Sequence, residues 1–124
     1  MLVHREVTRD VIGAAVEVHR RLGPGLLESA YRKCLAFELA DRGRATQAEV
    51  ALDLDDKGHH VPRCFRLDLL VDDVVVVEIK AVDQLLPVHK AQLMTYLHLS
   101  HRRVGLLFNF RSPKLTDAME RIVV

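Results

Sequence analysis

A run of valines that leads into charged residues is the feature that most constrains the fold of this chain. Val74 to Val77 are followed directly by Glu78-Ile79-Lys80. β-branched side chains favour extended backbone, so the run predicts a central strand. Glu78 and Lys80 are two residues apart and therefore project from the same face of that strand. Charged groups at the end of a buried strand are costly unless they pair with each other or with an ion.

Apolar periodicity predicts the elements around this strand. Helices are predicted over 7–22, about 27–40 and 87–99, with stops at Gly23-Pro24-Gly25 and Gly43 and a start at Pro87. Strands are predicted over about 46–54, 62–71, 74–80 and 104–110, with a turn-rich stretch at 55–60 and a short extra strand at 121–124. The order ααβββαβ predicts an α/β fold in which helices flank a central mixed sheet with a hairpin core. The strand after the third helix should run parallel to the strand before it.

Length and composition predict one compact domain over residues 1–124. The chain is 49% hydrophobic and 28% charged, the balance of an ordinary globular protein. Its 18 Lys and Arg against 17 Asp and Glu give a net charge of +1, so no global basic field indicates a polyanion partner.

Two further observations predict the compartment. Cys34 and Cys64 have no metal-type spacing and are expected to be reduced. No signal-peptide pattern is present, and the longest apolar run is too short to span a bilayer. We therefore expect a cytoplasmic protein without membrane attachment.

A second carboxylate, Asp68, precedes the turn into the valine run. Two carboxylates can hold Mg²⁺ or Mn²⁺ beside a phosphate, and a lysine can orient water or stabilise developing charge. A two-residue turn at 72–73 would place Asp68 on the face opposite Glu78. A shared site therefore predicts a three-residue turn over 72–74, or a bulge in the strand over 66–70. Spacing alone leaves open a purely structural ion-pair cluster.

Both later helices carry polar residues at helical spacing. Glu28 and Tyr31 lie one turn apart on the second helix, and Gln92 and Tyr96 lie four residues apart on the third. Each pair alone is more typical of ordinary surface or core positions than of a functional site.

Together these segments resemble a known family. The segment from Leu22 to Tyr31, LGPGLLESAY, resembles the motif of the GxxExxY proteins, small prokaryotic domains within the PD-(D/E)XK nuclease superfamily. In the same order, RLDLLV at 66–71 resembles the aspartate strand, VEIK at 77–80 the ExK strand, QLMTY at 92–96 the QxxxY helix of RecB-type nucleases, and VGLLFNF at 104–110 the following strand. Leu67 stands where the superfamily name has proline.

The resemblance implies a restriction-endonuclease-like fold and a divalent-metal site. Asp68 and Glu78 would hold the ion with Lys80 beside it, Glu28 would reach the site from the second helix as a further ligand, and Gln92 and Tyr96 would shape it from the third. The implied activity is that of a Mg²⁺- or Mn²⁺-dependent nuclease acting on DNA, with RNA as the second choice.

One alternative is a noncatalytic nucleic-acid-binding or assembly module that retains the nuclease fold. Because the net charge is near zero, intrinsic affinity should be modest, and a homodimer or a partner protein would help to hold the substrate. Candidate phosphate contacts are Arg20, Arg21, Arg32, Arg102, Arg103 and Arg111.

Overall fold

A computed structural model describes residues 3–124. The helices are α1 (Arg5–Leu22), α2 (Glu28–Asp41) and α3 (Pro87–Ser100), with a short 3₁₀ helix at Leu115–Asp117. The strands are β1 (Thr46–Asp56), β2 (His59–Val71), β3 (Val75–Lys80), β4 (Val104–Asn109) and β5 (Met119–Val123). The predicted α/β order is confirmed, including the extra strand at the end. Within residues 3–124 no helix is long and apolar enough to cross a membrane.

The strands form one mixed sheet in the order β1-β2-β3-β4-β5. Neighbouring strands are antiparallel except for β3 and β4, which are parallel. Helix α3 connects these two strands, so the predicted parallel pairing is confirmed. As expected for a central strand, β3 has buried residues throughout except at Lys80.

Side chains on β3 alternate between two cores. Val75, Val77 and Ile79 pack in a cluster with residues of α1 and α2, whereas Val76 packs in a cluster with residues of α3. Glu78 and Lys80 have the parity of Val76. The charged end of the valine strand therefore lies on the α3 face of the sheet.

A three-residue turn, Asp72–Val74, joins β2 to β3. Asp72 and Asp73 have φ of 50° and 60°, a left-handed conformation that Asp tolerates better than most residues. The Asp72 carboxylate accepts hydrogen bonds from Arg44 Nη1 and from a backbone N–H, both at 2.8 Å. Arg102 Nη2 donates to Asp73 at 2.6 Å. Ion pairs from two separate parts of the chain thus hold the turn.

Arg44 also links the turn to α1 through Asp10. Arg44 Nε and Arg42 Nη1 donate to the Asp10 carboxylate at 2.8 and 3.0 Å. The hydrogen bond from Arg44 is the main cause that lowers the pKa of Asp10 below its ordinary value of 3.8. Because the pKa is depressed in the folded state, this link stabilises the fold above pH 3.8 and is lost as the pH falls through the folded pKa.

We therefore expect Asp10→Asn to lower the free energy of unfolding by about 1 kcal/mol at neutral pH, as measured by urea unfolding. The difference from wild type should shrink as the pH falls below 3.8. Asp56→Asn is the matched control, since Asp56 is exposed and has no ion pair within residues 3–124. An Asp10→Asn protein as stable as the control at neutral pH would contradict this account.

The β1–β2 hairpin is longer than the sequence predicts. The stretch 55–60, expected to be turn-rich, continues both strands and turns only at Lys57-Gly58, where φ is 50° and 80°. Most side chains near this turn are exposed on both faces of the hairpin. The apolar–polar alternation that marks a half-buried strand is therefore weak there. The last strand also begins earlier than predicted, at Met119.

Candidate active site

Asp68 and Glu78 come together where β2 and β3 separate. The ladder pairs Leu69 with Val77, and the same register continued by one residue sets Asp68 opposite Glu78. The Ile79 N–H donates to Asp68 Oδ2 at 2.7 Å, so this carboxylate satisfies a backbone donor of β3. The predicted three-residue turn is confirmed, and both carboxylates line one cavity.

Glu78 is a buried carboxylate with an unsatisfied oxygen. It is 4% exposed, and its Oε2 has no hydrogen-bond partner within residues 3–124. Burial raises the pKa of Glu78 far above its ordinary value of 4.5, and Asp68 raises it further through hydrogen bonding and charge; Lys80 opposes the shift. Two carboxylates so close cannot both stay charged without compensation. The pair therefore requires a shared proton or a bound cation.

Helix α3 orients Lys80. Lys80 Nζ donates a hydrogen bond to Gln92 Oε1 at 2.9 Å. This hydrogen bond holds the ammonium group next to α3. Tyr96, one turn further along, is 7% exposed. Burial raises the pKa of Tyr96, and the charges of Glu78 and Asp68 raise it further, so its hydroxyl keeps its proton at neutral pH. The spacing of Gln92 and Tyr96 thus brings one side chain to Lys80 and the other to the cavity that holds the carboxylate pair.

Glu28 approaches the end of β3 from α2. It is the first residue of that helix, and its Oε2 accepts a hydrogen bond from the Ala81 N–H at 3.2 Å. Ala81 follows Lys80 directly. Glu28 lines the same cavity as Asp68 and Glu78 and is the most exposed of the three carboxylates.

Tyr31 holds the loop that precedes Glu28. Its side chain is fully buried and stacks on Phe110 with ring centroids 4.5 Å apart. The hydroxyl donates to the Gly23 carbonyl and accepts from the Leu26 N–H. Tyr31 does not line the cavity. The Glu and Tyr of this motif therefore differ in role, since one reaches the cavity and the other fixes the loop in the core.

We expect Tyr31→Phe to lower the free energy of unfolding by about 1–2 kcal/mol, since the change leaves two backbone groups without their partner. The ring and its stacking on Phe110 are kept, so urea unfolding reports the hydroxyl alone. Limited proteolysis should also show faster cleavage in the loop over 23–27. Unchanged stability and unchanged proteolysis would show that the hydroxyl does not fix this loop.

An open cavity of about 740 Å³ surrounds these groups. Its lining residues are Glu28, Glu49, Ala51, Arg63, Cys64, Phe65, Arg66, Asp68, Glu78, Lys80 and Tyr96. Five of the six residues assigned to the site from sequence line the cavity, and the sixth, Gln92, contacts Lys80 from outside this lining. The structure therefore brings all of them to one place.

The sequence patterns missed the contribution of the β1–β2 hairpin. Glu49, Arg63 and Arg66 line the cavity, and the first two have left-handed backbone with φ of 54° and 52°. Such residues inside strands are uncommon, and a bulge can redirect a side chain. The available signal was local, because Arg63-Cys64-Phe65-Arg66 places two cations around an aromatic ring.

The six arginines named from sequence as phosphate contacts do not line the cavity. Most are held by neighbouring carboxylates: Arg20 pairs with Glu17, Arg21 with Glu17 and Glu38, Arg32 with Glu49, Arg102 with Asp73, and Arg111 with Asp83. Arg103 donates to the Val124 carbonyl. Their pairing with acidic residues could not be deduced from sequence position, since several partners are distant in the chain.

Asp68 and Glu78 fit a hard divalent cation. Within residues 3–124, no three His, Cys, Asp or Glu side chains converge closely enough to hold an ion by themselves. Mg²⁺, however, commonly takes only one or two protein carboxylates and completes its shell with water and substrate phosphate. Mn²⁺ also suits oxygen ligands. The unpartnered Oε2 of Glu78 supplies an acceptor of this kind.

Comparisons with known proteins bear on the family and the fold. The family model of the PD-(D/E)XK nuclease superfamily matches residues 5–122. Nucleases of that superfamily generally use divalent metals. The crystal structure of SSO0001 matches 96% of this chain with a TM-score of 0.57 and 22% identity, and the chain spans 61% of that protein's length. Together these matches confirm the predicted restriction-endonuclease-like fold. No curated protein matches the chain.

Proposed function

The chain belongs to the PD-(D/E)XK nuclease superfamily, and from this premise we propose that it is a metal-dependent nuclease that hydrolyses phosphodiester bonds of DNA. The observation that carries the proposal is the carboxylate pair. Glu78 is buried with an unpartnered oxygen beside Asp68, in a cavity open enough to admit a phosphate. Buried carboxylate oxygens normally have a hydrogen-bond partner, and a bound cation would supply one for this oxygen. By its segment from Leu22 to Tyr31, we further assign the protein to the GxxExxY group.

Asp68 and Glu78 would hold Mg²⁺ or Mn²⁺ as its two protein ligands, while Glu28 would face the ion from the same cavity without ligating it directly. Such an ion, when bound, lowers the pKa of an attacking water and neutralises charge on the scissile phosphate. Glu28 accepts a hydrogen bond from the Ala81 N–H, which holds its carboxylate at the end of β3.

Lys80 is the group that we assign to the reacting phosphate. Its ammonium group lines the cavity and is held by Gln92, so it is oriented before the substrate arrives. There it orients water or stabilises negative charge on the phosphoryl oxygens. Tyr96, whose hydroxyl stays protonated, lines the cavity with the carboxylate pair.

A cleavage assay tests the proposal. Purified protein with Mn²⁺ or Mg²⁺ should cleave at least one of labelled single-stranded, duplex, nicked or structured DNA, and EDTA should stop the reaction. Glu78→Gln, which keeps the shape of the side chain, should abolish cleavage. Loss of activity in this variant would show that the cleavage does not come from a contaminating nuclease. A parallel RNA series decides between the two nucleic acids.

Absence of cleavage on every substrate, with a protein that still binds Mn²⁺, would contradict the proposal. It would favour instead a noncatalytic nucleic-acid-binding or assembly module.

A further inference from the structure

The β1–β2 hairpin forms a basic wall of the cavity. Arg63 and Arg66, both exposed, lie on β2 and line the cavity together with Asp68 and Glu78. Arg66 Nη1 lies 3.2 Å from Glu49 Oε1. The guanidinium group of Arg63 forms no ion pair within 4.0 Å in residues 3–124. These arginines therefore bring positive charge to a cavity whose other charged groups are mainly acidic.

Arg63 is held towards the cavity by an irregularity in the hairpin. Pairing of β1 with β2 shifts between Leu52 and Leu54, opposite this part of β2. Arg63 has φ of 52°, an unfavourable conformation for a residue with a Cβ, and its N–H donates to Asp53 Oδ1 at 2.8 Å. Bulges near active sites commonly redirect side chains. The fold maintains this conformation at a position where it presents a cation to the cavity.

Arg66 forms an ion pair with Glu49 in which a phosphate can take the place of the carboxylate. Its partner Glu49 also pairs with Arg32 Nη2 at 3.1 Å. If a phosphate oxygen takes the place of Glu49 beside Arg66, Glu49 keeps its pair with Arg32. Because arginine binds phosphate with a planar fork of donors, the exchange costs neither group its charge compensation.

An aromatic residue, Phe65, lies between the two arginines in the sequence. Phe65 lines the cavity and is half-buried, with its ring centroid 5.6 Å from that of Tyr96. Its accessible part offers an apolar surface next to the guanidinium groups. A basic groove with an aromatic platform is the combination that binds single-stranded nucleic acid, with phosphates on the cations and a base on the ring.

We infer that Arg63, Phe65 and Arg66 form a binding wall for a single nucleic-acid strand. The arginines bind backbone phosphates next to the one that reaches Asp68 and Glu78, and Phe65 contacts a base. The inference rests on the proposed function, because it lays the strand across the proposed nuclease site. It names unpaired strand, rather than intact duplex, as the form of nucleic acid that the cavity takes.

Fluorescence anisotropy in EDTA measures this binding without cleavage. The probes are labelled oligothymidine and a labelled hairpin duplex, each titrated over a series of salt concentrations. Arg63→Ala and Arg66→Ala should each weaken binding of oligothymidine and reduce the slope of log K against log salt by about 0.7. Phe65→Leu should weaken binding about fivefold without changing the slope. Arg9→Ala removes the same charge from an exposed position on α1 outside the cavity and should change neither quantity.

Three results would overturn the inference: wild-type protein that binds no oligothymidine even at low salt, arginine variants that behave like Arg9→Ala, or tighter binding of duplex with no effect of Phe65→Leu. The proposed function fails separately. If the protein binds oligothymidine through both arginines but cleaves nothing, the binding wall is supported and the proposed nuclease activity is contradicted. If the protein cleaves DNA but every variant binds oligothymidine as the wild type does, the nuclease activity is supported and the binding wall is contradicted.

Discussion

Glu78→Gln is expected to melt at a higher temperature than the wild-type protein when divalent cations are removed. The wild-type side chain is buried beside Asp68 without full compensation, whereas glutamine fills the same space without a charge. We expect a gain of about 1–2 kcal/mol at neutral pH, which corresponds to about 5 °C in a domain of this size. Thermal unfolding followed by circular dichroism in EDTA measures it.

The gain should depend on pH in a defined direction. The pKa of Glu78 is raised in the folded state, so the unfolded chain releases this proton first, near its ordinary value of 4.5. The folded wild-type protein is therefore most favoured below pH 4.5 and loses stability as the pH rises towards the folded pKa. The advantage of Glu78→Gln should be present at neutral pH and absent at about pH 4.

Divalent cations should reverse the ranking of the two proteins. An ion that binds only the folded state adds about 2.7 kcal/mol of stability at about a hundred times its Kd. Mn²⁺ should therefore raise the melting temperature of the wild type and leave Glu78→Gln nearly unchanged. Glu120→Gln, an exposed position that pairs with Lys90, serves as the control and should respond to Mn²⁺ as the wild type does. If Glu78→Gln responded equally, Glu78 would not be a ligand.

Lys80→Met is expected to lower the single-turnover rate of DNA cleavage by about 10²–10³-fold. Methionine keeps an unbranched apolar side chain but removes the ammonium group that Gln92 holds in the cavity. The proposed role of Lys80 is to orient water or stabilise charge on phosphorus, not to bind the ion. The rise in melting temperature on adding Mn²⁺ should therefore be retained.

Two further variants separate this role from a structural one. Gln92→Ala keeps the ammonium group of Lys80 but removes the hydrogen bond that orients it. The rate of DNA cleavage should therefore fall by about tenfold, less than in Lys80→Met. Lys90→Met changes an exposed lysine on the same helix and should cleave at the wild-type rate. Lys80→Met that cleaves as fast as Lys90→Met would remove Lys80 from the proposed mechanism.

Much of the fold follows from patterns that are local in the chain. The valine run predicts the buried centre of the sheet, and Pro87 marks the start of α3. The parallel pairing of β4 with β3 follows from the handedness of a crossover through a helix. The hairpin around Lys57-Gly58 was underestimated because its strands are exposed on both faces, so burial left no periodic signal.

The candidate site was predictable only in part. Parity along the strands required an odd offset for Asp68 to meet Glu78, and the three-residue turn supplies it. The conformation of the turn could not be predicted from its own residues, because Arg44 and Arg102 hold its two aspartates from distant segments of the chain. Arg63 escaped prediction for a similar reason, since its orientation depends on cross-strand register.

The turn between β2 and β3 fixes the phase of one strand against the other. Deleting or inserting a single residue within 72–74 would shift the pairing by one position and send Asp68 to the opposite face of the sheet from Glu78. The valines would still be able to form a buried strand, so such a protein would resemble its parent in architecture while its carboxylate pair was separated. A change of two residues would restore the phase. Among related sequences that keep the pair, the length of this turn should therefore vary in even steps, whatever residues it contains.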